Sequence, residues 1–130
     1  MSWQVGETRE TVVVDDLKRT QIVQYAGASG DYNPLHTDEV FATQVAGYPS
    51  VFAHGMLTMG MTGRVVTDLV GAEALTRFGG RFTAQVWPGD TLTVRATVAA
   101  VDGDVVELTV STVNQDGTDV FTGYAAAHVS

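Results

Sequence analysis

The chain contains no cysteine among its 130 residues. That excludes disulfides, thiolate zinc sites and a cysteine nucleophile, and it fits a reducing cytoplasm. Basic residues are scarce: 7 Lys and Arg stand against 15 Asp and Glu, for a net charge of −8. The seven are Arg9, Lys18, Arg19, Arg64, Arg77, Arg81 and Arg95, scattered rather than gathered into a stripe. Nucleic-acid binding, which needs a basic surface, is excluded as the leading reading. Long hydrophobic runs are also missing. The most apolar stretch, Met56 to Val70, carries Arg64 and Asp68 and falls short of the roughly 20 residues that span a bilayer. The opening segment MSWQVGETRE has neither a basic start nor an apolar stretch. A soluble, cytoplasmic protein without a secretory leader is therefore expected.

What is present suits one domain over residues 1–130, with 45% hydrophobic residues to build a core. Residues 7–14 end in a β-branched run and read as a strand. Asp15 reads as the N-cap of a helix whose apolar face is Leu17, Ile22, Tyr25 and Ala26. Ser29, Gly30, Asp31, Asn33 and Pro34 end that helix in a turn-rich loop, and 38–45 reads as a short helix. Residues 54–70 predict a long helix, apolar on most of its circumference and so expected to be buried. Gly60 and Gly63 weaken it by roughly 1 kcal/mol each relative to alanine. Close approach of another backbone is the expected reason for both.

The second half is strand-like. Residues 77–87 read as a strand closed by the turn Pro88-Gly89-Asp90. Leu92, Val94, Ala96 and Val98 alternate with polar residues, as do Val106, Leu108 and Val110. A last strand spans 120–129, with Asp102-Gly103 and Asp116-Gly117 as hairpin turns. A single sheet with one buried face needs a cover, and the long helix is the only candidate. The expectation is α+β, a sheet wrapped around one central helix, the hotdog architecture. Open sheet edges add the expectation of a homodimer, or a homotetramer.

The segment YAGASGDYNPLH places Asp31, Asn33 and His36 around a proline turn. A carboxylate and an imidazole together can hold one water and move its protons. As a bare pattern, the simpler reading is a structural turn, since Asp, Asn and Pro are turn formers. A second feature lies in SVFAHGML, where the long helix begins near His54-Gly55. Free N–H groups at a helix start, beside a glycine, can receive an oxyanion. An acid–base pair with such a donor is what proton abstraction or water addition next to a thioester carbonyl requires, although on these residues alone the simpler reading of Gly55 is a helix-start glycine with no ligand.

The stretches YAGASGDYNPLHTDEVFATQVAG, FAHGMLTMG and GRFTAQVWPGDTL, in this order, resemble the MaoC-like family of (R)-specific enoyl-CoA hydratases and related β-hydroxyacyl thioester dehydratases. The resemblance covers residues 20–95. It implies that Asp31 and His36 are the catalytic dyad, that Asn33 positions the dyad or its water, and that the Gly55 amide is the oxyanion donor. It also implies syn addition of water to a trans-2-enoyl thioester of coenzyme A or acyl carrier protein, with no cofactor. Gln85 stands where relatives often have proline, and Tyr48 where an apolar residue or phenylalanine is common. Both bear on the shape of the acyl pocket rather than on the reaction.

Other residues read more plainly. His54 adjoins the helix start and could touch ligand, with a capping or packing role the simpler reading, and His128 reads as a strand residue. The three histidines show no metal-binding spacing. Met56, Met59 and Met61 read as core filler. Arg81 is a candidate contact for coenzyme A phosphates, with an ordinary sheet-surface role equally available. Ser29 reads as a helix-end residue that could bond near the dyad. Two rival functions stay open. An acyl-CoA thioesterase on the same fold often draws a carboxylate from the long helix, which here offers only Asp68. The other is a non-catalytic acyl-binding subunit.

Overall fold

The computed structural model describes residues Met1–Ser130. Its order is β1 (Thr8–Val14), α1 (Arg19–Ser29), a π-helical turn (Phe41–Val45), α2 (Gly55–Val70), β2 (Leu75–Phe82), β3 (Leu92–Asp102), β4 (Val105–Val113) and β5 (Asp119–His128). The strands form one antiparallel sheet in the order β1-β3-β4-β5-β2. Register shifts interrupt every strand pair, for example between Val98 and Ala100. Such bulges bend a strand and add twist, which lets the sheet curl around α2. This is the α+β hotdog arrangement. No helix is long and apolar enough to cross a membrane.

The alternating residues of β3 and β4 do what their period demands. Val94, Val98, Val106, Leu108 and Val110 form one cluster with Ala125 of β5 and with Val65 and Val66 of α2. A second cluster joins Val14, Leu17, Ile22, Ala53, Val86, Leu92 and Val120. It lies where the loop before α2 meets α1 and the sheet, so it anchors the start of the long helix. One polar pair crosses the core: Thr62 of α2 lies 2.6 Å from Thr112 of β4, Oγ1 to Oγ1, with both residues fully buried.

Several expectations are corrected. Asp15 does not cap α1. Its carboxylate accepts from the Thr91 hydroxyl, and the helix begins after Lys18, whose N–H donates to the Gln21 side chain. Leu17 is recruited by the Gly89-Asp90 turn through two backbone bonds, and this keeps 15–18 out of the helix. The short helix near 38–45 is largely a single π-helical turn. The first hairpin turn falls on Gly103-Asp104, one residue later than expected. β2 stops at Phe82 because Val86 gives its carbonyl to the Ala53 amide, so 83–87 leaves the sheet and runs past the start of α2.

The long helix is only partly buried in the single chain. Thr58, Thr62, Val65 and Val66 face inward, while Met56, Gly60, Arg64 and Asp68 form an exposed stripe. Met56 is therefore not core filler, being 55% exposed. Gly63 meets a side chain rather than the expected backbone, since a Cβ there would lie 3.1 Å from the Phe78 ring. Gly60 faces open space.

Candidate active site

The loop after α1 is shaped by its own short polar side chains. Gly30 takes φ 76° and returns its N–H to Ala26. The Ser29 hydroxyl accepts from the Asp31 amide at 3.2 Å, and the Asp31 carboxylate accepts from the Asn33 amide at 3.2 Å. The Asn33 side-chain oxygen in turn accepts from Leu35 at 3.0 Å. These are the local side-chain-to-backbone turns that Ser, Asp and Asn favour. They aim the loop so that Asp31 is exposed and His36 half-buried. Asn33 thus positions Asp31 through its backbone, while its side-chain oxygen is engaged in the next turn.

His36 is held by a different segment. Its Nδ1 lies 2.6 Å from the Phe52 carbonyl oxygen. A carbonyl only accepts, so Nδ1 is the protonated nitrogen and Nε2 is the atom left for chemistry. Phe52 also sets its ring edge-on to His36 at 5.3 Å. Tyr48 and Trp87 also pack on the Phe52 ring, at 4.9 and 5.7 Å. Tyr48, one of the two departures from the family pattern, therefore supports the residue that orients His36.

His54 joins this group by packing rather than capping, and the sequence alone does not foresee its meeting with His36 and Asp31. Its ring stacks on His36 with centroids 3.8 Å apart and planes inclined by 23°. Ligating atoms of Asp31, His36 and His54 all lie within 4.8 Å of one another. Histidines that show no metal spacing along the chain thus meet in space, and the fit of a metal ion can be tested on geometry. A ring nitrogen's lone pair lies in its ring plane. Two nearly parallel stacked planes share no point that lies at a metal–nitrogen bond length of about 2.0–2.1 Å from both. The two imidazoles do not fit as ligands of one ion.

The N-terminus of α2 completes the site. His54 is its N-cap residue but makes no side-chain capping bond. The Leu57 and Thr58 amides turn back to the His54 carbonyl, while the Gly55 and Met56 amides donate to no protein acceptor. These free N–H groups, at the positive end of the helix dipole, are the donors available to a developing oxyanion. Beside them opens a cavity of about 340 Å³ lined by Phe52, Gly55, Thr58, Phe82, Gln85 and Val120 among others. Gln85, the other departure, lines this cavity. Glycine at 55 has a second reason: a Cβ would lie 3.0 Å from the Phe82 ring.

The remaining candidates lie elsewhere. Arg81 sits on β2 opposite Thr122, exposed, in a separate depression with Gly80, Gly123 and Tyr124. His128 ends β5 and is exposed, as a strand residue.

Comparison with known proteins narrows what this arrangement is for. Residues 2–120 match the family model described as MaoC like domain. A 67-residue stretch is 51% identical to 3-hydroxyacyl-thioester dehydratase Y of Mycobacterium tuberculosis, covering 49% of this chain and 23% of that protein. The match thus takes up less than a quarter of that relative. Among solved structures, R-hydratase PhaJ1 from Pseudomonas aeruginosa superposes with a TM-score of 0.85 at 26% identity, over 97% of this chain and 81% of that one. The ChsH1-ChsH2 complex from Mycobacterium tuberculosis does so with 0.84 at 25% identity, over the whole of both chains.

Proposed function

The chain belongs to the MaoC-like domain family, and from that premise we propose that it is an (R)-specific enoyl thioester hydratase, or equally a 3-hydroxyacyl thioester dehydratase. One observation carries the reading: Asp31 and His36 gather with His54, the residue that immediately precedes the free amides opening α2. The similarity to a named R-hydratase and a named hydroxyacyl-thioester dehydratase supports it.

In the hydration direction, one water lies between the Asp31 carboxylate and His36 Nε2. Asp31 takes a proton from the water as its oxygen bonds to the β-carbon of the trans-2-enoyl group. The Cα=Cβ electron pair moves toward the thioester carbonyl, whose oxygen gains charge against the Gly55 amide. His36, as imidazolium, delivers its Nε2 proton to the α-carbon. The proton on Asp31 then returns to His36. Both transfers come from one face, which makes the addition syn. Loss of an oxyanion donor of this kind typically costs about 3–4 kcal/mol.

The thioesterase reading loses ground on geometry. Asp68 is exposed near the far end of α2, and at about 1.5 Å per residue it lies about 20 Å along the axis from Gly55. The substrate is an acyl thioester of coenzyme A or acyl carrier protein, and Arg81 is the residue we assign to a phosphate. The outer edges of β1 and β2 are unpaired in the single chain, which supports assembly as a homodimer or homotetramer. The cysteine-free composition supports a cytoplasmic setting.

Purified protein incubated with crotonyl-CoA should lose the conjugated double bond without releasing free thiol. Thiol release with the double bond intact would refute the hydratase reading. Asp31→Asn and His36→Ala should each abolish hydration and leave the thermal midpoint near that of the parent. Full activity in both would move the chemistry away from this loop.

A further inference from the structure

We propose that His54 is the positioning residue of the Asp31–His36 pair, holding the ring of one and the backbone of the other. The inference rests on the site reading given above.

Three contacts converge on this side chain, which is 2% exposed. Its face lies on the His36 ring at 3.8 Å. Its Nε2 lies 3.0 Å from the main-chain carbonyl oxygen of Asp31, 23 residues away in the chain. Tyr25 of α1 sets its ring edge-on at 4.8 Å. The Asp31 carbonyl only accepts, so Nε2 carries the proton, and in the neutral ring Nδ1 keeps the lone pair. That Nδ1 is buried without a partner.

These contacts define the site. The Phe52 carbonyl fixes how His36 turns within its own plane, and the His54 face fixes the plane itself. Together they leave His36 Nε2 one direction to point. The Nε2–H bond to Asp31 fixes where that residue's backbone sits, in a loop otherwise exposed on most sides. His54 also immediately precedes Gly55, so the acid–base pair and the oxyanion amides are referred to one rigid helix start.

Packing alone does not account for a histidine here. Phenylalanine would fill the same volume and stack on His36 with no nitrogen to desolvate. A buried polar atom without a partner is unfavourable, and what offsets Nδ1 on this ring is the bond that Nε2 makes to Asp31. The polar function, rather than the flat ring, is what selects histidine.

The test separates the two ties. His54→Phe keeps the ring and removes the donor. His54→Gln keeps a donor of similar reach and removes the ring. Hydration of crotonyl-CoA is measured for both, beside His36→Ala, together with thermal midpoints. Misplacement of a reacting group by about 1 Å costs up to about 100-fold in rate, so His54→Phe should lose about tenfold or more in kcat, with KM and the midpoint nearly unchanged. His54→Gln should recover part of that loss.

Wild-type kcat in His54→Phe, with His36→Ala inactive, overturns the role of His54 alone. Full activity in His36→Ala overturns the site reading beneath it. A readout on the unmodified protein covers the case in which the variants fail to fold. Long-range 1H–15N spectra should show a proton on His54 Nε2. An Nε2 without a proton would mean that the bond to Asp31 does not form, and the proposal would fall.

Discussion

Gly55→Ala separates the two roles assigned to Gly55. The new Cβ would lie 3.0 to 3.1 Å from three atoms of the Phe82 ring, where carbon contacts prefer about 3.5–4.0 Å. The ring must therefore retreat by about half an ångström. Phe82 can do so, because it ends β2, is 50% exposed and meets only Phe121 among aromatic rings, at 5.8 Å. Overpacking costs about 1–3 kcal/mol in a closed core, and this open site belongs at the low end. Against that, exchanging Gly for Ala at a helical position stabilises by about 0.4–1 kcal/mol through the unfolded chain. The net change in stability should be within about 1 kcal/mol of zero. Activity should not be spared. The methyl group occupies the approach of the thioester oxygen to the amide, and losing one such donor costs about 10²–10³ in kcat. Initial rates of crotonyl-CoA hydration and a thermal melt measure both quantities on one sample. Should the melt fall steeply, adding Phe82→Ala relieves the contact; the double variant should regain stability and stay slow. Hydration by Gly55→Ala at a rate within about threefold of the parent would refute the oxyanion role of this amide.

The Thr62–Thr112 pair yields an asymmetric stability prediction. Thr62 spends its only proton on the Thr58 carbonyl at 2.9 Å, so Thr112 must be the donor to Thr62. Thr62→Val then strands a buried donor and should cost about 1–3 kcal/mol in a urea melt, while Thr112→Val removes one bond and should cost about 0.5–1.5 kcal/mol. Adding Thr112→Val to Thr62→Val should therefore cost less than it does alone. The Glu7 carboxyl is held below the ordinary carboxylate range, chiefly by the Ser2 hydroxyl and then by the Ser2 and Gln4 amides, with a small further pull from the N-terminal charge. The contribution of this tie to stability is present above the ordinary Glu pKa and is lost as pH falls through the lowered one. An NMR titration of Glu7 in Ser2→Ala should show the midpoint returning upward.

The parts of the fold carried by period and punctuation were legible. α2 begins one residue from where HGML places it and ends before Gly71, at φ 90°. The strands of alternating valines pair as antiparallel neighbours. Failures fall where long-range contacts outbid local preference. Asp15 is a good N-cap type, but Thr91 claims its side chain and the Gly89-Asp90 turn claims Leu17. Residues 83–87 keep a strand-like composition, but Ala53 draws Val86 out of the sheet. That diversion builds a wall of the cavity beside Gly55.

The same division explains the candidate site. The turn that carries Asp31 and Asn33 was legible because its bonds are local: Ser29 to Asp31, Asp31 to Asn33 and Asn33 to Leu35 all span two residues, whereas His36 is held by the Phe52 carbonyl, 16 residues away. His54 was not legible, because its bond to Asp31 spans 23 residues and its stack on His36 depends on how two loops meet. An isolated histidine at a helix start carries no mark that separates a cap from a support. The fold supplies the mark by leaving the capping role empty, since the His54 side chain bonds backward to the loop rather than forward to its own helix. A side chain that caps α2 would steady only the helix. One that reaches back to Asp31 ties the position of the acid–base loop to the amides of Gly55 and Met56, and the proposed reaction needs those two parts held at a fixed separation while one substrate bridges them.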